Sequence, residues 1–304
     1  VTDIVLPTAS GLEHKISLPS LARSFSKATI WVCPGQWSFP LNLPLSWIGI
    51  PRRRTKVLSQ DGFPHSDICK WTSLGPIDIG LGRFQEFSCY HKRSKSLLVT
   101  DALVGIESKP PDLFDLDPTP ILFHSREIGY QTLEDTKEAR FRGWKRLVLF
   151  ASFLKPYKVS IPSVFEVLKN SFKPGLRNFK SHFGIYPFSW EKDWEDSSRD
   201  LIGSTKPLVQ VAPVLERLVF PRSKETFLDW LSKINQHRDM KRLISSHYSA
   251  PVMFSKNDAD QLRKSISKKN WAPNSGDWAF LDWVDKKLVK LGVVPKDPLK
   301  SFRD

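Results

Sequence analysis

The sequence predicts an α/β fold from three observations. Short β-branched runs alternate with stretches of helical spacing along most of the chain. A strand–helix–strand order at the start points to a parallel pair with its helix crossing over. Further on, two strand-like runs flank a short turn, which only an antiparallel hairpin accommodates. The 304 residues are 40% hydrophobic and 12% aromatic, apolar surface enough for a sizeable core and far more than a disordered chain carries.

Taken in order, Thr2 to Pro7 (TDIVLP) reads as a buried strand, Ser17 to Phe25 as a helix and Thr29 to Cys33 (TIWVC) as the second strand. Pro34 to Pro51 carries four prolines. It is therefore expected as an apolar loop pressed on the body rather than as regular structure. Ile68 to Leu74 is strand-like, and Phe84 to Tyr90 with Ser96 to Thr100 form the hairpin around HKRSK. Thr136 to Leu154 has helical spacing through Phe141, Trp144, Leu147, Val148 and Phe150, and Ser163 to Phe172 is a further helix. Pro207 to Pro213 returns to strand, Lys224 to Asn235 is helical, and Lys241 to Ser246 is a last strand. Two lysine-rich helical patterns follow, near Asp258 to Ser267 and Asp277 to Leu291.

Several classes fall away. The longest apolar run, Leu147 to Leu154, is far short of the roughly 20 residues of a membrane span. Cys33, Cys69 and Cys89 are too few and too scattered for a disulfide scaffold; Cys33 and Cys89 read as small buried residues. Lys plus Arg exceeds Asp plus Glu by 46 to 32, a net charge of +14, which suits anionic partners. The basic residues cluster at Arg52 to Arg54, at His91 to Lys95, and from Lys155 to Lys180, where Phe165, Phe172 and Phe179 interleave. That last mixture fits phosphates with stacked bases, or equally a solvated helix face with its phenylalanines in the core; the same charges would attract an anionic membrane surface, but no strongly amphipathic basic helix stands out from the core helices.

Three strand ends carry groups able to bind a metal or move a proton: Glu13 and His14 after the first strand, Asp101 after the hairpin, and His247 after the last strand. By spacing alone, caps or surface residues explain them as well. The stretches IVLPTASGLEHK (Ile4 to Lys15), CPGQWSFPLNLPLSWIGIPRR (Cys33 to Arg53), LGPIDIGLGRFQE (Leu74 to Glu86), RSKSLLVTD (Arg93 to Asp101), LFHS (Leu122 to Ser125) and HYSAPV (His247 to Val252) add a resemblance. They resemble the metallo-β-lactamase superfamily and, within it, DUF4336, a domain family of photosynthetic organisms.

That resemblance implies a metallo-β-lactamase-like αββα sandwich over residues 1–253, with a lysine-rich helical extension over 254–304. The superfamily has strands ahead of the first one seen here, and the chain opens on Val1, so an N-terminally incomplete domain is expected. The superfamily motif T-H-x-H-x-D-H falls on Thr8 to His14, which places its first two histidines at Ala9 and Gly11. Its next ligand loop falls near Leu81-Gly82-Arg83-Phe84, again without histidine. The first metal site is therefore degenerate. The second is implied at Glu13, His14, Asp101 and His247, a set that suits one Zn, Fe or Mn ion. His124, in LFHS, matches the family pattern and is expected as a neutral buried histidine bonded to a backbone carbonyl.

Three functions remain open. One is a non-catalytic binding protein with a degenerate metal site, contacting a protein partner through the Pro34 to Pro51 loop. The second is a mononuclear metal-dependent hydrolase of an ester, thioester or phosphoester. The third is a nucleic-acid-binding protein using the basic faces. The family's association with photosynthetic organisms implies a chloroplast location.

Overall fold

The computed structural model describes residues 1–11, 13–36, 43–80, 82–129, 131, 134–202, 208–268 and 276–296. The chain is mixed α/β and divides into two compact units, one from Val1–Gly105, Val209–Ala272 and Asp285–Asp304, the other from Ile106–Leu208 and Pro273–Val284.

The first unit begins with β1 (Asp3–Leu6), α1 (Glu13–Ile16), α2 (Leu18–Ser24) and β2 (Thr29–Val32). β1 and β2 are parallel, Asp3 opposite Thr29 and Leu6 opposite Val32, as the crossover order requires. Side chains alternate with the strand period of two. Leu6, Ile30 and Val32 pack with Leu18 and Ala22 of α2, while Trp31 and Cys33 pack on the other face against Phe87. A third parallel strand, β3 (Thr55–Val57), continues this sheet. It escapes sequence reading because three residues after an arginine run carry no apolar pattern. Arg54 of that run serves the fold, because its guanidinium donates to the carbonyls of Ala22, Phe25 and Ala28 and so ends α2.

Within the proline-rich loop, Trp37 to Asn42 lie outside the described residues. Ile50 is buried with Leu45 and Ile48 against the α2 core, and Trp47 is exposed. Where it is described, the loop meets the body through Leu45, Ile48 and Ile50 and is otherwise largely exposed.

The second sheet holds β4 (Cys69–Asp78), β5 (Arg83–His91) and β6 (Ser96–Leu98). β4 is longer than expected, because pairing with β5 resumes at Ile77 after an irregularity at Gly75-Pro76. β6 ends two residues earlier than expected, at Leu98, and β7 (Val104–Gly105) follows.

The second unit contains α3 (Leu113–Leu116), α4 (Thr119–Ser125), α5 (Lys137–Phe153), β8 (Val159–Ser160), α6 (Val164–Ser171), β9 (Ser189–Trp190) and α7 (Glu195–Ile202). Thr136 caps α5 by accepting from the Ala139 amide. Gly143 brings α5 so close to α4 that a Cβ there would overlap the Ile121 carbonyl.

Returning to the first unit, β10 (Val209–Gln210) pairs with β7. The strand expected across Pro207 to Pro213 is therefore only two residues long; Pro213 instead opens α8 (Pro213–Leu218), a favoured place for proline. α9 (Lys224–Ile234) buries Phe227, Trp230, Leu231 and Ile234 in the usual amphipathic way, and the Trp230 indole donates to Ser88 Oγ on β5. β11 (Arg242–Ile244) and β12 (Val252–Met253) complete the second sheet, whose order is β12-β11-β6-β5-β4. α10 (Lys256–Lys268) follows in this unit, while α11 (Ala279–Lys290) begins in the stretch Pro273–Val284 of the second unit. No helix among the described residues is long and apolar enough to cross a membrane.

Candidate metal centre

Strand register explains how residues distant in sequence meet. β6 and β11 are parallel neighbours with Leu98 opposite Ile244. Asp101 and His247 each lie three positions beyond those partners, so they leave the sheet side by side. β1 is tied to the same edge by a bridge between Thr8 and Glu86 and by the Ala9 amide, which donates to the Gln85 carbonyl. Four residues beyond Ala9 the chain turns into α1, which carries His14.

The three side chains converge on one atom. His14 Nε2 and His247 Nε2 donate to the same Asp101 oxygen, at 2.9 and 2.8 Å. Their rings lie 5.1 Å apart, edge to face. One ligand atom from each residue falls within 4.8 Å of the others. His14 and Asp101 are largely covered while His247 is more open, so the cluster is reachable from solvent.

Glu13 stands apart from this set. Its Oε1 is 3.7 Å from His14 Nε2, and the side chain is exposed. Consecutive helical residues project about 100° apart, so Glu13 flanks His14 from the exposed side of α1 and lies outside the group of three whose ligand atoms gather. Gly11 has φ of 87°, and a Cβ there would press on the Glu13 and His14 side chains. A histidine at that position is therefore sterically incompatible with His14 as placed. Ala9 is fully buried.

Two supporting residues carry no individual signal in the sequence patterns above. Glu86 is completely buried on β5, and its carboxylate accepts from the backbone amides of Thr100, Asp101 and Ala102 at 2.6, 2.9 and 3.0 Å. It holds the loop that presents Asp101. The available signal was an ionisable residue alternating with Phe84 and Ser88 on a buried strand face. Lys15, also buried, donates to the carbonyls of Ala9 and Gly11 and fixes the turn before α1.

Electrostatics follow from these contacts. Burial pushes the Asp101 carboxyl up, but the hydrogen bonds from His14 and His247 outweigh it and hold the group down at about 2. Burial disfavours a charged His14; its bond to Asp101 and the nearby carboxylate charges overcome that and raise it. Burial, then the Asp101 charge, raises Glu86 to about 7 against the pull of its three amides. Burial lowers Lys15 to about 8.

The remaining histidines lie elsewhere. His65 meets Asp3, His91 meets Ser94, His182 meets Arg126, and His237 stacks on Tyr90. His124 sits among Phe123, Phe150 and Phe188, and its Nδ1 has no hydrogen-bond partner, so the expected carbonyl bond is not made there. Burial, reinforced by Arg146, lowers it to about 4. The unfolded histidine takes its proton first, near 6.5, so stability falls as pH drops from about 6.5 toward 4, by at most about 3 kcal/mol. His124→Phe is expected to flatten that part of the profile in urea unfolding followed against pH.

The fold and cluster define a mixed α/β protein with a two-histidine, one-carboxylate site. The chain belongs to the family described as Domain of unknown function (DUF4336), whose model matches residues 1–265. No curated protein and no solved structure matches the chain.

Proposed function

We propose that this chain is a metallo-β-lactamase-like protein reduced to a single metal ion, held by His14, Asp101 and His247, and that its chemistry is hydrolysis of an ester, thioester or phosphoester. The observation that carries the reading is the meeting of both imidazoles on one Asp101 oxygen. A first-row dication at about 2.0–2.2 Å from its ligands sets neighbouring ligand atoms roughly 3.0–3.4 Å apart. The two histidine–Asp101 contacts of 2.9 and 2.8 Å lie close to that spacing, and all three ligand atoms fall within 4.8 Å of one another. Two imidazoles with one carboxylate suit Zn²⁺, Fe²⁺ or Mn²⁺. The packing of α2, the two sheets and α9 on one another's faces in the first unit supports the αββα sandwich.

The chain's own residues set the chemistry. Asp101 stays ionised at neutral pH and supplies the set's negative charge. His14 and His247 ligate once their Nε2 protons leave. Glu86 acts through the loop as a positioning residue, and exposed Glu13 is available to take a proton from an approaching water. A bound dication at this position supplies Lewis acidity and lowers a water's pKa toward about 7. The chloroplast location implied by the resemblance is part of the same proposal.

One observation favours a second reading, a non-catalytic binding role. Asp101 and the two histidines satisfy one another without an ion, and the positions of the first superfamily site are a buried alanine and a conformationally required glycine. Metal stoichiometry separates the two. Chelator-treated full-length protein is expected to bind about one equivalent of Zn²⁺ or Mn²⁺ in equilibrium dialysis, and none after His247→Ala. Fewer than about a tenth of an equivalent, unchanged by that substitution, contradicts the metal reading.

A further inference from the structure

We infer that α6 and the turn after it form a docking element for an anionic membrane surface. The helix begins with a reciprocal cap: Ser163 Oγ accepts from the Glu166 amide, and the Glu166 carboxylate accepts from the Ser163 amide and hydroxyl. Val164, Phe165, Leu168 and Phe172 then share one side at the helical spacing. In α9 the corresponding stripe is buried. Here it faces outward: Val164 is 74% exposed, Phe165 78%, Phe172 72%, and Phe179 beyond the turn 86%. The sequence left open whether these phenylalanines lie in the core, and they do not. Val164, Phe165, Leu168 and Phe172 on this one face present on the order of 400 Å² of apolar surface, the size at which a patch marks an interaction site.

Charge selects the occupant. Between Val159 and Trp190 the only acid is Glu166, engaged in its own helix cap, while Lys169, Lys173, Arg177 and Lys180 all fall beside or between the phenylalanines in sequence. Protein interfaces deplete lysine at such patches. A nucleic acid gains from flat rings but nothing from exposed Val164 and Leu168. A lipid boundary takes both, burying phenylalanine and aliphatic side chains while lysines reach its headgroups. Elsewhere in the basic regions Arg54 ends α2, Lys92 bonds the Asp67 carbonyl, Lys95 pairs with Asp239, and Lys158 pairs with Glu191 and Asp193.

Cosedimentation of the full chain with vesicles tests this. Binding is expected to phosphatidylcholine vesicles carrying about 30 mol % phosphatidylglycerol, not to pure phosphatidylcholine, and it should weaken as salt rises from about 50 to about 500 mM. Combining Phe165→Ser with Phe172→Ser should weaken it at least about tenfold with circular dichroism unchanged. If that variant misfolds, Phe179→Ser gives the same test on the most exposed ring. Equal binding to neutral vesicles, no binding, or binding indifferent to these substitutions overturns the proposal. So does a self-association, or an affinity for single-stranded oligonucleotide, that the same variants abolish while vesicles stay unbound.

Discussion

Asp101→Ala is expected to lower affinity for Zn²⁺ by at least about a hundredfold, since even residues that only support a metal ligand cost about 10–100-fold when removed. Asp101 is the acceptor both imidazoles share, at 2.9 and 2.8 Å, and the only carboxylate of the converging set. Without it, two rings with 5.1 Å between centroids remain, with no negative charge between them. Competition against a chromophoric chelator measures the loss. Glu13→Ala is the control and should change affinity by less than about threefold, because its exposed carboxylate lies outside the convergent set. Retained affinity in Asp101→Ala, or an equal loss in Glu13→Ala, would place the ion elsewhere.

Glu86→Ala carries the second large effect. It leaves the amides of Thr100, Asp101 and Ala102 without their acceptor in a site closed to water. Unsatisfied buried donors cost about 1–3 kcal/mol each, with partial relaxation, so a loss of about 3–5 kcal/mol is expected. Glu86→Gln should recover little, because its amide offers one acceptor oxygen and turns an N–H toward the donors. The two units need not unfold together, so a single melting midpoint is a poor measure. Hydrogen exchange at residues 100–102 reads the effect directly, and protection there should fall at least about a hundredfold. Exchange at parent rates in Glu86→Ala would show that other groups hold the loop.

Much of the first unit was legible in the sequence. β1 and β2 announced themselves by β-branched runs flanking a short helix, and the hairpin by its turn. The pairing of β6 with β11 was not, because it joins strands from distant parts of the chain and neither encodes its neighbour. The convergence of His14, Asp101 and His247 was therefore reached through resemblance rather than spacing. Glu13 was named by the same resemblance, and its carboxylate lies exposed beside His14. Glu86 was passed over as the end of a motif, since a lone carboxylate in a strand is usually solvated. For α6, the spacing showed which residues share a face. Which way that face turns depends on packing that periodicity does not report.

Anomalous diffraction from crystals soaked in Zn²⁺ or Mn²⁺ tests the central claim most directly. A single peak about 2.0–2.3 Å from the His14 and His247 Nε2 atoms and the Asp101 carboxylate is the expected result. Contradiction would come from a fully soaked crystal in which the two imidazoles still hydrogen-bond Asp101 and no ion lies among them.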